Sequence, residues 1–535
     1  MTAPVKRSDI RAAVDRGRAF PRRPFHPVLI HLVTTVVAGV LYYATAIPGL
    51  AWGDSGNVQV RVLSGIIHDP DDPSRSHIPF YVMASALTRL GVEPHRAATL
   101  LSAFAGAVTI GNVACILTLL CRTRRAVVAA TILSMFSHSI WSLAAVPEVM
   151  TLSSALFTFE LIVIILFLKR GERALLCLAF FLNGLGAATH NMAVLTCPAY
   201  VVMLFAHNRR ETPVGGRDIA MGIAAWVVGA APLVWLFIKT STATGSATAA
   251  LSDMLAGRFA FAVFNTGSLP RLFLRTVAYT VYSFPTPLIF CAVTGCAHLW
   301  RRADRRMMLF VSMALLFQGL FVARYNVPDQ HTFMAQMLIL LLLFAAVGLD
   351  EFCEARPAGI VPTAALIALA CPAILVYSAT PHFLRRYWPE STVVPTRFIP
   401  HRDSLDWFLK PWRNGDDGAQ RFARDVLRDI PSNVVLAVDS TLMPPILYLQ
   451  IDEELRRDVQ IVSAHTYQTW LPDEFRLDEP AARNEAIAAG RLYSGTDDSS
   501  ALNPHLRDPR YSFRPSGVVF LVFDSTPDGS SGAPR

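Results

Sequence analysis

The sequence is short of charged residues and of cysteine, and each shortage excludes a class of protein. Only 16% of its 535 residues are charged and 53% are hydrophobic, which is too apolar for an ordinary soluble enzyme. All eight cysteines lie in or beside long apolar runs, so no disulfides are expected in the polar segments, and no zinc-type spacing occurs. A glycine-rich phosphate loop is also missing, which argues against a nucleotide-binding site of that kind.

Long apolar runs fill the first two thirds of the chain. Each is close to the roughly 20 residues that a helix needs to cross a bilayer. The runs lie at 28–48, 97–121, 126–146, 150–168, 174–189, 191–206, 218–238, 272–299, 307–323, 332–349 and 358–378. They predict a polytopic α-helical membrane protein with about 11 transmembrane helices. The stretch from His77 to Leu90 is shorter and predicts an interfacial or re-entrant helix.

The distribution of basic residues predicts the orientation. Lys and Arg are frequent in residues 1–26 and between alternate runs, so the N-terminal segment is predicted to be cytoplasmic. No small-residue cleavage pattern follows the first run, so a cleaved signal is not expected. The basic excess is therefore a topology signal, and no nucleic-acid partner is expected. The predicted location is the plasma (inner) membrane, in contact with its lipids.

Composition changes after the last apolar run. An odd number of spans places residues 381–524 on the extracytoplasmic side. There, Val434–Val438, Val459–Val462 and Val518–Phe523 read as strands and Thr441–Leu449 reads as a helix, which predicts a soluble α/β domain. Residues 525–535 are rich in Gly, Ser and Pro and predict a disordered tail.

Polar residues that are unusual in so apolar a chain fall in four turns on the predicted outer side. The first turn extends over residues 49–96, and the others lie near residues 148, 190 and 329. Their candidate functional residues are Asp54, Asn57, His77, Glu148, His190, Arg324, Tyr325, Asp329 and His331. Four separate turns would not be expected to place such groups on one face by chance, which favours a common site.

Each of these residues also has a structural interpretation. Asp54, between Gly53 and Gly56, resembles a solvated turn residue. Glu148 stands where it would cap the next helix, and Asp329 is close enough in sequence to pair with Arg324. The acidic run at residues 68–72 lacks the ligand spacing of a calcium loop and predicts a solvated segment.

Short motifs around these residues resemble, in chain order, the signatures of the DUF2723 family. They are Leu50-Ala-Trp-Gly-Asp54-Ser-Gly, His77-Ile-Pro-Phe-Tyr, Val146-Pro-Glu148-Val-Met-Thr-Leu, Gly184-Leu-Gly-Ala-Ala-Thr-His190-Asn and Tyr325-Asn-Val-Pro-Asp329. The resemblance extends over about residues 45–470. Members of that family are similar to protein O-mannosyltransferases and other GT-C glycosyltransferases, whose multi-span bodies use a polyprenyl-phosphate sugar on the non-cytoplasmic side.

This resemblance implies a GT-C-like catalytic body over residues 27–380. Asp54 and Glu148 match the acidic positions assigned to catalysis, and His190 and Asp329 match polar positions where donor phosphate contacts are expected. Two departures affect the site. Asn57 replaces a Glu that is usual in the family, and His77-Ile-Pro-Phe replaces the usual His-Pro-Pro-Gly.

The chemistry of such a transfer assigns the roles. One carboxylate, Asp54, would accept the proton of the acceptor hydroxyl, and direct displacement would invert the anomeric carbon. The leaving phosphate needs positive charge, from Arg324, His331, His190 or Arg61, or from a divalent cation (Mg or Mn) held by Asp54 and Glu148. The acceptor would be a protein, a lipid or a glycan. The alternative function is that of a transporter or flippase of a lipid-linked sugar.

Overall fold

The structure is a computed structural model that describes residues 25–69, 72–208, 213–255, 257, 269–302, 305–327, 329–356, 359–389, 394, 397–463 and 475–525. Its N-terminal two thirds are helical, as predicted. The helices of this part are α1 (Pro27–Thr45), α2 (Gly53–Leu63), α3 (Ile78–Arg89), α4 (Pro94–Leu120), α5 (Arg124–Met135), α6 (His138–Ala144), α7 (Val149–Arg170), α8 (Arg173–Thr189), α9 (Cys197–Asn208), α10 (Gly216–Gly229), α11 (Ala231–Thr244), α12 (Ala247–Leu255), α13 (Leu269–Ser283), α14 (Cys291–Arg302), α15 (Arg305–Arg324), α16 (Ala335–Glu354), α17 (Ile360–Ala370) and α18 (Ala373–Tyr387). The predicted disordered tail and most of the N-terminal segment lie outside the described residues.

The number of membrane-crossing segments differs from the eleven expected. In the described part of the chain, six continuous segments are long and apolar enough to cross a bilayer, and up to nine qualify when each bent helix pair counts as one span. The bent pairs are α5 with α6 at 56°, α10 with α11 at 70°, and α13 with the helix after Pro287 at 119°. Prolines stand at two of these breaks and interrupt the helical hydrogen bonds, so an apolar run read from sequence is not one straight helix.

Two of the predicted spans correspond to helices that are shorter than expected, which also lowers the number of segments that qualify as membrane-crossing. The predicted span at 174–189 corresponds to α8, which is apolar but shorter than the other candidates. The predicted span at 191–206 begins with a 3₁₀ segment, Asn191–Thr196, before α9. The stretch after His77 forms the twelve-residue helix α3, in agreement with the expectation that it does not cross.

Close helix crossings in the bundle use glycine. A Cβ atom added at Gly295 would overlap the carbonyl oxygen of Phe344, and one at Gly348 would overlap that of Cys291, so α14 and α16 meet backbone to backbone. Gly184 and Gly229 allow the same approach between α8 and α10. Small residues at crossings let helices gain dispersion contacts in a membrane, where hydrophobic burial does not drive association.

The C-terminal part contains a mixed five-stranded sheet with flanking helices. The helices are α19 (Ser404–Leu409), α20 (Gly418–Asp429), α21 (Met443–Asp452) and α22 (Pro480–Ala488). The strands are β1 (Val435–Val438), β2 (Gln460–Ser463), β3 (Leu492–Ser494), β4 (Tyr511–Ser516) and β5 (Val519–Asp524), in the order β2-β1-β3-β5-β4. Strand β1 pairs in parallel with β2 and β3, whereas β5 is antiparallel to β3 and β4.

The three strands expected from sequence are present, and two further strands were missed. Strand β3 has only three residues, too few for a periodic signal. Strand β4 contains Pro515, which is tolerated because β4 lies at the edge of the sheet. The predicted fold class, a helical membrane body with a C-terminal α/β region, is confirmed.

The segment that carries Asp54 packs against this α/β region. Trp52 is buried with its ring centroid 5.5 Å from that of Phe422 on α20. The backbone N–H of Gly53, at a φ of 58°, donates to the carbonyl oxygen of Thr441 at 3.1 Å. A Cβ at Gly56 would lie 2.8 Å from that of Pro444. The glycines that flank Asp54 therefore allow contact with the α/β region.

Candidate functional site

A cavity of about 290 Å³ opens where several segments of the membrane body meet. Its lining includes residues of α2, the 3₁₀ turn Pro73–Arg75, α3, the start of α7, the segment Asn191–Thr196, the end of α15 and the loop before α16. The lining combines acidic, basic and imidazole groups with apolar side chains. The apolar side chains include Met192, Leu195, Phe321 and Phe333. The cavity can therefore hold a molecule with a polar head and an apolar body.

Seven of the nine candidate residues line this cavity. They are Asp54, Asn57, His77, Glu148, His190, Tyr325 and Asp329. The structure thus brings together residues from four turns that are far apart in sequence. Arg324 and His331 are not in the lining. The ring of His331 instead lies among those of His138, Tyr279 and Phe408.

Asp54 lies at the exposed rim, in the first turn of α2. Its Oδ1 atom accepts hydrogen bonds from Arg75 at 2.7 Å and from the side-chain amide of Asn57 at 3.4 Å. Its side chain is 64% exposed. No described residue donates to its Oδ2 atom, so this oxygen is available to a ligand.

Glu148 caps α7 and also lines the cavity. Its Oε1 atom accepts the backbone N–H of Met150 at 3.2 Å, and its backbone N–H donates to Ser102 at 2.7 Å. Burial raises the pKa of Glu148 to about 8, and the negative charges of Asp54 and Asp329 act in the same direction. Its carboxyl group therefore holds a proton at neutral pH, and the capping role expected from sequence is combined with a place in the site.

Asp329 lies in the loop before α16, and its environment resembles that of Glu148. Burial raises the pKa of Asp329 to about 6, with a further contribution from the charge of Asp54. Arg75 and Arg275 oppose this shift. Three carboxyl groups from three loops thus influence one another, an arrangement that is characteristic of functional sites.

Two histidines form a stacked pair in the cavity lining. The ring centroids of His77 and His190 are 5.0 Å apart, with an angle of 11° between the rings. Burial lowers the pKa of both, for His190 to about 4, so both rings are neutral at pH 7. His190 therefore does not supply the positive charge expected of it from sequence.

Positive charge in the lining comes from two arginines. The guanidinium of Arg61 is buried, donates to the carbonyl oxygens of Arg75 and Ser76, and lies 3.7 Å from the ring centroid of Tyr81. Arg75 reaches Asp54. Sequence reasoning did not single out Arg75, although its place two residues before His77 in a loop was a usable signal.

The described residues contain no group of three or more His, Cys, Asp and Glu side chains placed to hold a metal ion. Asp54 and Glu148, the ligands expected from sequence, already accept hydrogen bonds from Arg75 and Met150. Divalent cations prefer several oxygen ligands, so a cation held by Asp54 and Glu148 would need further oxygen ligands from other groups or from the substrate.

Comparison with known proteins agrees with this architecture. A profile of the protein O-mannosyl-transferase TMEM260 N-terminal domain matches residues 75–213, which include His77, Glu148 and His190. No curated protein sequence matches the chain significantly.

Two solved structures resemble the chain over nearly its whole length. The structure of ArnT from Cupriavidus metallidurans bound to undecaprenyl phosphate has 12% sequence identity and a TM-score of 0.55, over 95% of this chain and 99% of ArnT. The apo structure of the same protein has 13% identity and a TM-score of 0.54, over 93% and 98% of the two chains. The chain has the GT-C fold of ArnT. It is accordingly a multi-pass membrane protein whose cavity lies within a GT-C-like body.

Proposed function

We propose that the protein is a membrane glycosyltransferase that moves a sugar from a polyprenyl-phosphate donor to an acceptor hydroxyl on the extracytoplasmic side. The observation that carries this proposal is the convergence of Asp54, Glu148 and Asp329, with two arginines, on one cavity that also has apolar side chains in its lining. The fold supports it, because ArnT was solved with undecaprenyl phosphate bound. A polyprenyl phosphate has the polar head and apolar tail that such a cavity accommodates.

Asp54 is the general base in this proposal. Its Oδ2 atom receives no hydrogen bond from the described residues, whereas Oδ1 is held by Arg75 and Asn57. The carboxylate is thus fixed in orientation with one oxygen turned to incoming substrate. Its position at the rim suits a group that meets the acceptor, since the acceptor enters from outside the membrane.

The donor phosphate lies against Arg61, Arg75 and protonated Glu148. Guanidinium groups form strong hydrogen bonds with phosphate, and a neutral carboxyl group donates one more without repelling the anion. A phosphate ester of this type leaves as an ionised group and needs no general acid. The raised pKa of Glu148 also keeps one negative charge away from the bound donor.

The reaction is a single displacement. The acceptor oxygen forms a bond to the anomeric carbon while its proton passes to Asp54, and the bond from that carbon to the phosphate oxygen breaks. The electron pair stays on the polyprenyl phosphate. Attack from the side opposite the leaving group inverts the anomeric configuration.

The rival function is a transporter or flippase of a lipid-linked sugar. Transporters of that kind place paired charges near the middle of the membrane. Here the cluster lies where loops meet, beside the α/β region, which favours transfer chemistry. The two functions differ in outcome, because only the transferase breaks the bond between sugar and phosphate.

Replacement of Asp54 by Asn tests the proposal. Purified protein in liposomes is given radiolabelled undecaprenyl-phosphate sugars and a mixture of protein, lipid and glycan acceptors. We expect wild-type protein to transfer label, and Asp54→Asn to lose at least about 100-fold of the rate, as for loss of a general base. The exposed residue Asp452 on α21 provides a matched control, Asp452→Asn, which should transfer label at the wild-type rate.

Two results would contradict the assignment. Transfer by Asp54→Asn near the wild-type rate would remove Asp54 as the base. Movement of intact lipid-linked sugar across the bilayer without transfer would support the flippase. The hypothesis of a divalent cation is tested in the same assay, since it predicts loss of transfer with EDTA and recovery with Mg²⁺ or Mn²⁺.

A further inference from the structure

The stacked histidines of the cavity are held by different backbone groups. His77 has a left-handed backbone, with φ of 42°, just before α3. Its Nδ1 atom lies 2.9 Å from the carbonyl oxygen of Thr189 at the end of α8. A carbonyl oxygen only accepts hydrogen bonds, so Nδ1 of His77 carries the proton.

The Nδ1 atom of His190 accepts a hydrogen bond, whereas that of His77 donates one. His190 caps the segment Asn191–Thr196, and its Nδ1 atom accepts the backbone N–H of Met192 at 3.2 Å. Nδ1 of His190 is therefore unprotonated, and the proton of the neutral ring resides on Nε2. Stacking fixes the two rings nearly parallel to each other.

Opposite tautomers leave the pair with complementary free atoms. Nε2 of His77 is a hydrogen-bond acceptor, and Nε2–H of His190 is a donor. Within the described part of the chain, neither Nε2 atom has a hydrogen-bond partner. Both residues line the cavity, and we infer that this donor and acceptor are open to a molecule that binds there.

An ionised phosphate does not suit this pair. Its oxygen atoms only accept hydrogen bonds, so the lone pair on Nε2 of His77 would face another lone pair. A hydroxyl group both donates and accepts and matches the two atoms at once. Both imidazoles are also neutral because burial lowers their pKa values, so they offer no charge to an anion.

We propose that His77 and His190 bind hydroxyl groups of the transferred sugar, with Nε2 of His77 accepting and Nε2–H of His190 donating. This inference rests on the proposed function, since it assigns one part of the donor to one part of the cavity. The phosphate is bound apart from the pair, by Arg61 and Arg75. The pair then determines which sugar is accepted, by the position of its hydroxyl groups.

Asparagine provides a substitution that removes only the proposed contact. The polar atoms of an Asn side chain overlap Nδ1 of a histidine and do not reach the position of Nε2. His77→Asn keeps a donor for Thr189 and tolerates the left-handed backbone. His190→Asn keeps an acceptor for Met192 at a capping position that Asn favours. His77→Gln and His190→Gln serve as the counterpart, because Gln reaches the Nε2 position.

Binding of two probes separates sugar contacts from phosphate contacts. The full-length protein in detergent is titrated with undecaprenyl-phosphate mannose and related undecaprenyl-phosphate sugars, and with undecaprenyl phosphate itself. For the best-bound sugar, we expect each Asn variant to lose about threefold to tenfold in affinity, the range for one hydrogen bond. Affinity for undecaprenyl phosphate should stay unchanged, and the Gln variants should recover part of the loss. Arg61→Gln should weaken binding of both probes.

Each other outcome has a definite meaning. Equal losses for both probes would overturn the inference, since the histidines would then bind phosphate or only hold the fold. Unchanged affinity for every undecaprenyl-phosphate sugar would overturn it as well. Failure of wild-type protein to bind any undecaprenyl-phosphate sugar, with thermal unfolding intact, would instead refute the proposed function itself.

Discussion

Two glutamates on one helix, α7, have different environments. Glu148 stands at the N-terminus of α7 and lines the cavity, with one hydrogen bond from Met150 to its carboxyl group. Glu160 lies twelve residues later, about 18 Å along the helix axis, and is 1% exposed. Its Oε1 atom accepts hydrogen bonds from Tyr200 at 2.7 Å and Asn183 at 3.1 Å.

The surroundings of the two glutamates distinguish a structural carboxyl group from one that lines a candidate site. The amide nitrogen of Asn183 also lies within hydrogen-bond distance of the Ala193 carbonyl oxygen and the Thr196 hydroxyl, and its amide oxygen accepts from Trp226. Glu160 therefore belongs to a connected network that ties four helices and the segment Asn191–Thr196 together. A connected polar network of this kind stabilises a bundle. Glu148 faces an open cavity beside two other carboxyl groups, and its raised pKa is typical of a functional site.

Replacement of Glu148 by Ser should lower the rate of transfer and leave stability nearly unchanged. Glu148→Ser keeps a capping oxygen for Met150 but removes the group that we propose to bind the donor phosphate. We expect transfer to fall about 10- to 100-fold, the value of one hydrogen bond to a charged group, with little change in the melting temperature. The transfer assay and thermal unfolding in detergent measure the two quantities. Wild-type activity of Glu148→Ser would place Glu148 with the structural residues.

Glu160→Ala should show the reverse pattern. It leaves a void in the bundle and removes an acceptor from Tyr200 and Asn183, so stability should fall by about 1–3 kcal/mol. Transfer by the protein that remains folded should stay within about threefold of wild type. Glu160→Gln is the matched control, because its amide oxygen still accepts both hydrogen bonds. If Glu160→Ala remained stable but lost transfer, the contrast between the two glutamates would fail.

A smaller effect is expected on the pH dependence of transfer. The raised pKa of Glu148 keeps its proton up to about pH 8, so the proposed hydrogen bond to the donor phosphate should be present below that pH and lost above it. We expect kcat/KM of wild type to fall with rising pH above about 8. Glu148→Gln is neutral at every pH and should lack this decline. An identical decline in Glu148→Gln would assign it to another group.

Residue type and position along the chain were enough to predict most of the candidate residues that line the cavity. Asp54, Glu148 and His190 each stand next to an apolar run, and an ionisable residue at such a place is conspicuous. The same reasoning did not separate Asp329 from Arg324 and His331, which share one loop. Only the path of that loop decides that Asp329 faces the cavity while His331 packs against aromatic rings.

The contacts between the segment that carries Asp54 and the α/β region could not be predicted from the sequence. The glycines around Asp54 indicated a close approach, but they did not reveal what approaches. The structure shows Thr441 and Pro444 at that position, nearly 400 residues away along the chain. Likewise, Arg75 was not distinguished from other loop arginines, because its contact with Asp54 depends on how the 3₁₀ turn Pro73–Arg75 lies relative to α2 in the folded chain.

Composition and hydropathy by themselves determined that this chain is a helical membrane protein with a polar C-terminal α/β region, since burial of apolar runs in lipid depends on local sequence alone. Tertiary structure decided where helices bend, which polar groups share a cavity, and which tautomers His77 and His190 adopt. Those features depend on contacts between segments far apart in the chain. The energy of each contact depends on the partner that a group meets in the folded chain. No single segment of the sequence specifies that partner.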